Sequence, residues 1–217
     1  MTTMEPRTAE QAWTVEDIPV LTAAVSLPQP VPAAGACSRR LRRFYRLQCR
    51  SFLRYCEKGL LPQVKAEYQA ALAASGPLPS CQAELTYRVT YQDTRFLSLY
   101  TQSRETAPAG PALLIRRGDT WDLASGYPVP LSAFFPSRRG WKRSLLDRAA
   151  EEIRRQERAG IACYHENWPH ALRRCFNPQN YYLTEEGLVF FFPMYAIAPV
   201  AEGIPTFLVP WKEVAIE

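Results

Sequence analysis

Residues 82–93 read QAELTYRVTYQD, and this stretch decides the fold class. Apolar side chains recur in it at every second position: Leu85, Tyr87, Val89 and Tyr91. A period of two is typical of a half-buried β-strand, whereas the patterns before this stretch have the helical period. Asp93-Thr94 predicts a tight turn into a second strand over residues 95–103, so the middle of the chain predicts a β-hairpin.

Two helical segments are predicted before this hairpin. Apolar side chains recur at helical spacing after Ser38, which we expect to act as the N-cap: Leu41, Tyr45, Cys49, Phe52 and Cys56. Gly59 interrupts this stripe, and Pro62 suits the first turn of a second helix that ends at Gly76. The chain therefore predicts a long helix followed by a shorter one.

One strand is predicted ahead of the helices. Residues 20–27, VLTAAVSL, partly alternate and lead into Pro28. We expect the strand to stop there, because proline cannot donate a hydrogen bond to a neighbouring strand. Residues 1–17 are mostly polar and predict a flexible N-terminal arm.

The second half of the chain predicts strands, helices and strands again. Residues 112–116 and 121–123 predict two short strands separated by a Gly-Asp turn. Residues 141–158 predict an amphipathic helix, and Asn167 suits the N-cap of another helix that runs to about Phe176. Three closing strands follow, over residues 181–183, 188–192 and 206–211.

This order of elements predicts an α+β fold with a largely antiparallel sheet packed against two or three helices. We expect one domain over residues 18–217. In it, residues 20–93 would hold the opening strand, the long helices and the first hairpin strand. Residues 94–217 would hold the remaining sheet, helices and closing strands.

Composition limits the class of protein. The net charge of +5 comes from 26 basic and 21 acidic residues, which favours contact with an anionic surface without requiring it. No apolar run is long enough for a transmembrane helix, and no signal-peptide pattern opens the chain. We therefore expect a cytoplasmic protein, or an extracytoplasmic one if a leader precedes this sequence. In the cytoplasm the six cysteines would be free thiols.

The first predicted helix is rich in arginine. Six of these residues form the candidate anion-binding set: Arg39, Arg42, Arg43, Arg46, Arg50 and Arg54. Such a helix could bind phosphate, nucleic acid or an acidic protein. A charge run is more often a solvated face paired with carboxylates, and Glu151, Glu152 and Glu157 could supply them. Nucleic acid is therefore not our favoured partner.

Catalytic and metal-binding patterns are weak. Cys163, His165, His170 and Cys175 lie close together, but their spacing matches no common zinc pattern. Both histidines of the chain lie in this one segment, so a Ser-His-Asp or Cys-His pair is hard to build. We expect no catalytic residues, no metal and no cofactor, and an uncharacterised enzyme is our third alternative.

The sequence of residues 190–205 predicts a strand followed by a rigid loop. Phe190, Phe191 and Phe192 in succession indicate a strand covered on both faces. Prolines recur after that strand, at Pro193, Pro199 and Pro205, and Gly203 permits a tight reversal. A loop that holds one shape without many contacts suits recognition, although most loops only connect elements and cover the core.

The same segment carries a family likeness. Tyr182-Leu183-Thr184 with Gly187-Leu188-Val189, then Ile197-Ala198-Pro199 and Gly203-Ile204-Pro205, resemble the C-terminal domain family found in the anti-sigma factor RsiV and the deacetylase PdaC. Asp119-Thr120-Trp121-Asp122-Leu123 also fits, and the likeness runs with gaps from about residue 20 to residue 211. Relatives have a Gly-Gly-Ala-His-like loop where this chain has residues 106–111 and no histidine.

The resemblance implies an α+β sensing domain, which in the RsiV version binds lysozyme. We therefore predict a non-enzymatic binding or sensing module for a protein ligand, of the lysozyme or cell-wall type that the resemblance implies. Binding would use a sheet edge and the rigid loop. The candidate contact residues are Tyr195, Ile197, Pro199, Glu202, Ile204 and Pro205.

Overall fold

The computed structural model describes residues 3–31, 35–106, 111–135 and 139–214, and within them it confirms the α+β fold. The strands are β1 (Thr3–Val15), β2 (Ile18–Val31), β3 (Cys81–Gln92), β4 (Phe96–Thr106), β5 (Leu113–Asp122), β6 (Tyr127–Pro128), β7 (Tyr181–Thr184), β8 (Gly187–Phe191) and β9 (Thr206–Pro210). The α-helices are α1 (Ala36–Tyr55), α2 (Leu61–Ala73), α3 (Trp141–Arg158) and α4 (Trp168–Cys175).

The strands form two sheets, where we expected one. The first has the order β1-β2-β3-β4-β5-β6, and the second has the order β7-β8-β9. Antiparallel pairing joins β1 to β2, β5 to β6, and β8 to both of its neighbours. In contrast, β2 and β3 run parallel where Leu21–Val25 pairs with Cys81–Leu85. The prediction of largely antiparallel pairing is confirmed.

The chain divides into two units. Unit 1 consists of Met1–Tyr87 with Thr101–Leu114, and unit 2 consists of Arg88–Tyr100 with Ile115–Glu217. Strands β3, β4 and β5 contribute residues to both units. The expectation of one domain over residues 18–217 stays a prediction.

Unit 1 opens with a long hairpin, which corrects two predictions. β1 pairs with β2 from Thr3↔Val31 to Val15↔Ile18, so the prediction of a flexible arm is wrong for residues 3–15. The connecting turn has positive φ at Glu16 (51°) and Asp17 (64°), as a two-residue hairpin turn requires. β2 also continues through Pro28 to Val31, because beyond Val25 it pairs with β1 alone and such a position tolerates proline.

The two helices of unit 1 are continuous through a wider turn. α1 begins at Ala36, so Ser38 does not cap it and is instead buried (5% exposed) on the inner face. A single π-helical turn, Cys56–Leu60, joins α1 to α2 at the place where Gly59 predicted a break. α2 begins at Leu61 with Pro62 in its first turn, as predicted.

Unit 2 is built around an aromatic core. Phe190 and Phe192 pack with Phe207 of β9, at ring-centroid distances of 5.4 and 5.8 Å. α3 has the predicted limits and buries three side chains of one face in this core: Leu145, Ala149 and Ile153. α4 spans Trp168–Cys175 after Asn167, whose side chain makes no capping hydrogen bond.

β5 is one strand, where two short strands were expected. The predicted turn at Gly118-Asp119 is wrong, because Gly118 lies inside the strand against the backbone of Tyr181. A Cβ at Gly118 would lie 1.8 Å from the Tyr181 carbonyl oxygen, so only glycine fits there. Of the loop predicted over residues 106–111, residues 107–110 lie outside the described residues. Among the described helices, none has the length and apolar character needed to span a bilayer.

Candidate functional site

The rigid loop lies in unit 2 and comprises residues 193–205, which we call the Tyr195 loop. Its two ends are joined by a backbone hydrogen bond, because the N–H of Phe192, the residue after β8, donates to the Pro205 carbonyl at 3.0 Å. Within the loop, Ala196 N–H donates to the Pro193 carbonyl (3.1 Å), and Gly203 N–H donates to the Val200 carbonyl (3.0 Å). The loop therefore satisfies much of its own backbone and holds one shape.

A second segment, residues 160–167, is hydrogen-bonded to the Tyr195 loop. His165 N–H donates to the Ile197 carbonyl at 3.0 Å, and Cys163 N–H donates to the Glu202 carboxylate at 3.0 Å. Tyr164 anchors this segment to α3 by donating its hydroxyl to Gln156 at 2.7 Å. Burial, followed by the nearby carboxylates of Glu152 and Glu202, raises the pKa of Tyr164 to about 12.

Tyr195 stands out on this loop. The residue is 64% exposed, and its ring contacts the His165 ring edge to face at 5.2 Å between ring centroids. Its φ of 68° lies in the left-handed region, which is uncommon for a residue other than glycine. Such backbone costs about 1–3 kcal/mol and persists only where the surroundings impose it. Ile161, in the adjoining segment, is also 64% exposed.

The six predicted contact residues do not all reach the surface. Tyr195 and Glu202 are exposed, and Glu202 is bonded to the Cys163 backbone. Ile197 (0% exposed) and Pro205 are buried, so they hold the loop and cannot contact a ligand. Pro199 and Ile204 are half-buried. Tyr195 is therefore the main candidate anchor.

The cysteines and histidines of the same region do not form a metal centre. In the described part of the chain, no group of three His, Cys, Asp or Glu side chains could hold a metal ion. His165 and Cys175 line one shallow pocket with Tyr195, whereas Cys163 and His170 are exposed. All six cysteines are free thiols, and Cys56 and Cys81 are buried.

The arginines of α1 lie in unit 1. At 100° per residue, the six predicted members occupy an arc of about 120° on the helix. All of them are exposed except Arg42, which is half-buried. Within the described residues none of the six forms an ion pair, and the Glu152 carboxylate pairs with Arg155 of its own helix. In the described part of the chain, these six arginines therefore lack the carboxylate partners that the structural alternative required.

A cleft that the sequence did not reveal lies in unit 2, beside Gly118. It has a volume of about 520 Å³, and its lining includes Asp119, Trp141, Lys142 and Tyr181. Its buried polar groups are satisfied, because Arg117 pairs with Asp119 at 3.1 Å and the Tyr181 hydroxyl donates to the Val129 carbonyl. Burial raises the pKa of Tyr181. These bonds stabilise β5 and its surroundings, so we assign the cleft a structural role.

Comparisons with known proteins agree with the fold. The model of a family described as "Protein of unknown function (DUF3298)" matches residues 133–212, which is under half of the chain. A crystal structure of a DUF3298 family member from Bacteroides fragilis NCTC 9343 has a TM-score of 0.69 and 13% identity, over 99% of this chain and 94% of that one. A DUF3298 family protein from Pseudomonas aeruginosa PAO1 has a TM-score of 0.59, with the same identity and coverage.

A search among curated proteins finds no match for the chain. The matched family segment includes β7, β8, the Tyr195 loop and β9. The two crystal structures share the fold over nearly the whole chain. By the family match and the shared fold, the chain is similar to DUF3298 proteins, a class of unknown function.

Proposed function

We propose that the protein is a non-enzymatic binding or sensing module that recognises a protein ligand through Tyr195. The observation that carries the proposal is the exposed Tyr195 ring on a left-handed backbone, in a loop fixed by hydrogen bonds on both sides. Backbone strain of this kind is found preferentially at functional sites. Exposed, rigid aromatic side chains are the usual anchors of protein interfaces.

Preorganisation favours binding here. A loop that already has its bound shape loses little conformational entropy when a partner docks. The His165 ring against Tyr195 and the two bonds from residues 160–167 restrict this loop before any partner arrives. Exposed Ile161 would extend the apolar contact surface. A protein ligand of the lysozyme or cell-wall type is the finer form of the proposal.

A capture experiment tests the proposal. The tagged protein is incubated with lysozyme and, separately, with a bacterial lysate, each at low and high salt. We expect one discrete protein to be retained at high salt, because an aromatic anchor acts through apolar burial that salt does not screen. Tyr195→Ala should weaken that interaction by about tenfold or more, the range of an interface hot spot.

Two variants serve as controls. Tyr127→Ala removes a tyrosine of similar exposure (57%) on β6 and should leave capture unchanged. Tyr195→Gly removes the ring and relieves the left-handed backbone, so it should be about 1 kcal/mol more stable than Tyr195→Ala while binding as poorly. Capture that survives both Tyr195 variants, or no capture of any protein, would contradict the proposal.

A further inference from the structure

The arginine-rich face of α1 borders a groove in unit 1, which we call the arginine groove. Its walls are α1 on one side and the β1–β2 hairpin on the other. Arg42, Arg46 and Arg50 follow one another at intervals of four residues along the helix, and Arg7 joins them from β1. The hairpin thus adds a fourth guanidinium that is remote in sequence from the helix.

These four arginines are not neutralised by the protein. Among the described residues that line the arginine groove none is Asp or Glu, and none of the four arginines forms an ion pair with any described carboxylate. The Nε of Arg42 is buried and has no hydrogen-bond partner. A buried donor without a partner costs about 1–3 kcal/mol, so each such atom in a folded protein calls for an explanation.

An apolar floor lies between the charged groups. Leu27 and Tyr45 are each 2% exposed, and Pro28 is buried beside them. The groove has a volume of about 140 Å³, which suits a small ligand. An occupant would therefore place a compact apolar group on the floor and an anionic group among the guanidiniums.

We infer that the arginine groove is a binding site for a small phosphomonoester that carries a compact apolar group. The number of unpaired arginines favours a phosphate group over a carboxylate. A phosphomonoester has about −1.5 to −2 charges at neutral pH and three acceptor oxygens, whereas a carboxylate has one charge. Several guanidiniums around one phosphate supply charge-assisted and bidentate hydrogen bonds. The half-buried Arg42 lines the same groove, so its guanidinium would add to these bonds.

Calorimetric titration with phenyl phosphate tests the inference, with inorganic phosphate and benzoate titrated at the same ionic strength. We expect phenyl phosphate to bind more tightly than inorganic phosphate, which lacks the apolar group, and more tightly than benzoate, which lacks the second charge. Arg46→Gln and Arg7→Gln should each weaken phenyl phosphate about tenfold, the effect of one charged hydrogen bond.

Arg43→Gln is the matched control, because Arg43 is exposed on the same helix and does not line the arginine groove. It should change the affinity for phenyl phosphate less than about twofold, since a screened surface charge contributes little. Thermal melts without ligand establish that the variants are folded. Tyr195→Ala should bind phenyl phosphate like the wild type, so this inference and the protein-binding proposal fail independently.

Three results would overturn the inference. The first is no heat of binding with phenyl phosphate. The second is equal weakening by Arg43→Gln and Arg46→Gln, which would indicate a diffuse charge effect. The third is single-stranded nucleic acid binding more tightly than phenyl phosphate with a steep salt dependence, which would indicate a polymer along the whole helix face.

Discussion

Helices α1 and α3 are both rich in arginine, and they use it in opposite ways. On α3 the arginines have partners within unit 2: Arg143 with Asp147, Arg148 with Glu213, Arg155 with Glu152, Arg154 over the Trp168 ring and Arg158 with the Arg154 carbonyl. On α1, Arg42, Arg46 and Arg50 have no ion-pair partner within the described residues. From amino-acid composition alone, the arginines of the two helices would have been expected to play the same role.

The contrast extends to the units that contain the helices. Three buried side-chain polar atoms lack a hydrogen-bond partner in the described part of the chain: Arg42 Nε, Gln48 Oε1 and Glu105 Oε1. All three lie in unit 1. In unit 2, buried polar groups such as Ser98 and Thr120 bond each other, at 2.8 Å. Among the described residues, the buried polar atoms without a partner therefore lie in unit 1, whereas unit 2 contains the exposed Tyr195.

The largest expected effect tests how tightly unit 2 is packed. In Gly118→Ala the new methyl group meets the Tyr181 carbonyl oxygen, and backbone atoms cannot move aside as a side chain can. We expect the free energy of unfolding to fall by about 3 kcal/mol, the upper range for overpacking. Urea unfolding followed by tryptophan fluorescence measures it.

Gly59→Ala is the matched change in unit 1. There the added Cβ would lie 3.1 Å from ring atoms of Tyr55, a half-exposed side chain that can shift, while alanine favours a helical turn. The net change should stay within about 1 kcal/mol. If Gly59→Ala and Gly118→Ala lowered the free energy of unfolding by similar amounts, the proposed difference in packing between the two positions would be wrong.

A smaller effect separates the two arginine-rich helices. Arg148 donates its Nε to the Leu208 carbonyl at 2.8 Å and pairs with Glu213, so Arg148→Met should cost about 2 kcal/mol of stability. Arg46→Met should change stability by less than about 0.5 kcal/mol, because it removes no bond and relieves repulsion among like charges. Equal losses in urea unfolding would mean that the α1 arginines are structural too.

The smallest effect concerns Glu105 and depends on pH. Burial raises the pKa of Glu105 above its ordinary 4.5, and the hydrogen bond that Tyr55 donates at 3.1 Å opposes this. The folded protein therefore binds this proton more tightly than the unfolded chain. Stability from protonated Glu105 is full below pH 4.5 and is lost as the pH rises through the raised pKa of the folded state.

Glu105→Gln keeps the shape and cannot ionise, so it should remove that loss. We expect its stability relative to wild type to increase as the pH rises from below 4.5 to neutral. Urea unfolding of both proteins across this range gives the difference directly. A difference that does not vary with pH would show that Glu105 is already solvated and ionised in the folded state.

Sequence patterns predicted the strongly periodic elements well. Residues 141–158 were expected to form a helix and do, because the apolar stripe on one face is a local feature of the sequence. The hairpin after residue 81 was expected for the same kind of reason, and its turn is held by Asp93, which accepts the Phe96 N–H at 2.6 Å. β1 was missed because most of its side chains are exposed, so no apolar alternation marks it.

The candidate sites were predicted in part. The loop that presents Tyr195 was found from its prolines, but the sequence did not separate exposed Tyr195 from buried Ile197. Burial depends on what packs above a residue, and here residues 160–167 come from another part of the chain. The continuity of β5 through Gly118 was missed for the same reason, since Tyr181 lies far away in sequence.

The sequence by itself determined the α+β class, the limits of α3 and the arc of about 120° that six arginines share on α1. These features could be predicted because the helical period of 3.6 residues and the strand period of two residues are local rules. Only the tertiary structure decided which arginines are neutralised, that Arg7 joins the helix from β1, and that Tyr195 stands exposed on a left-handed backbone. Charge pairing and burial depend on residues brought together from distant positions, and no local period encodes that.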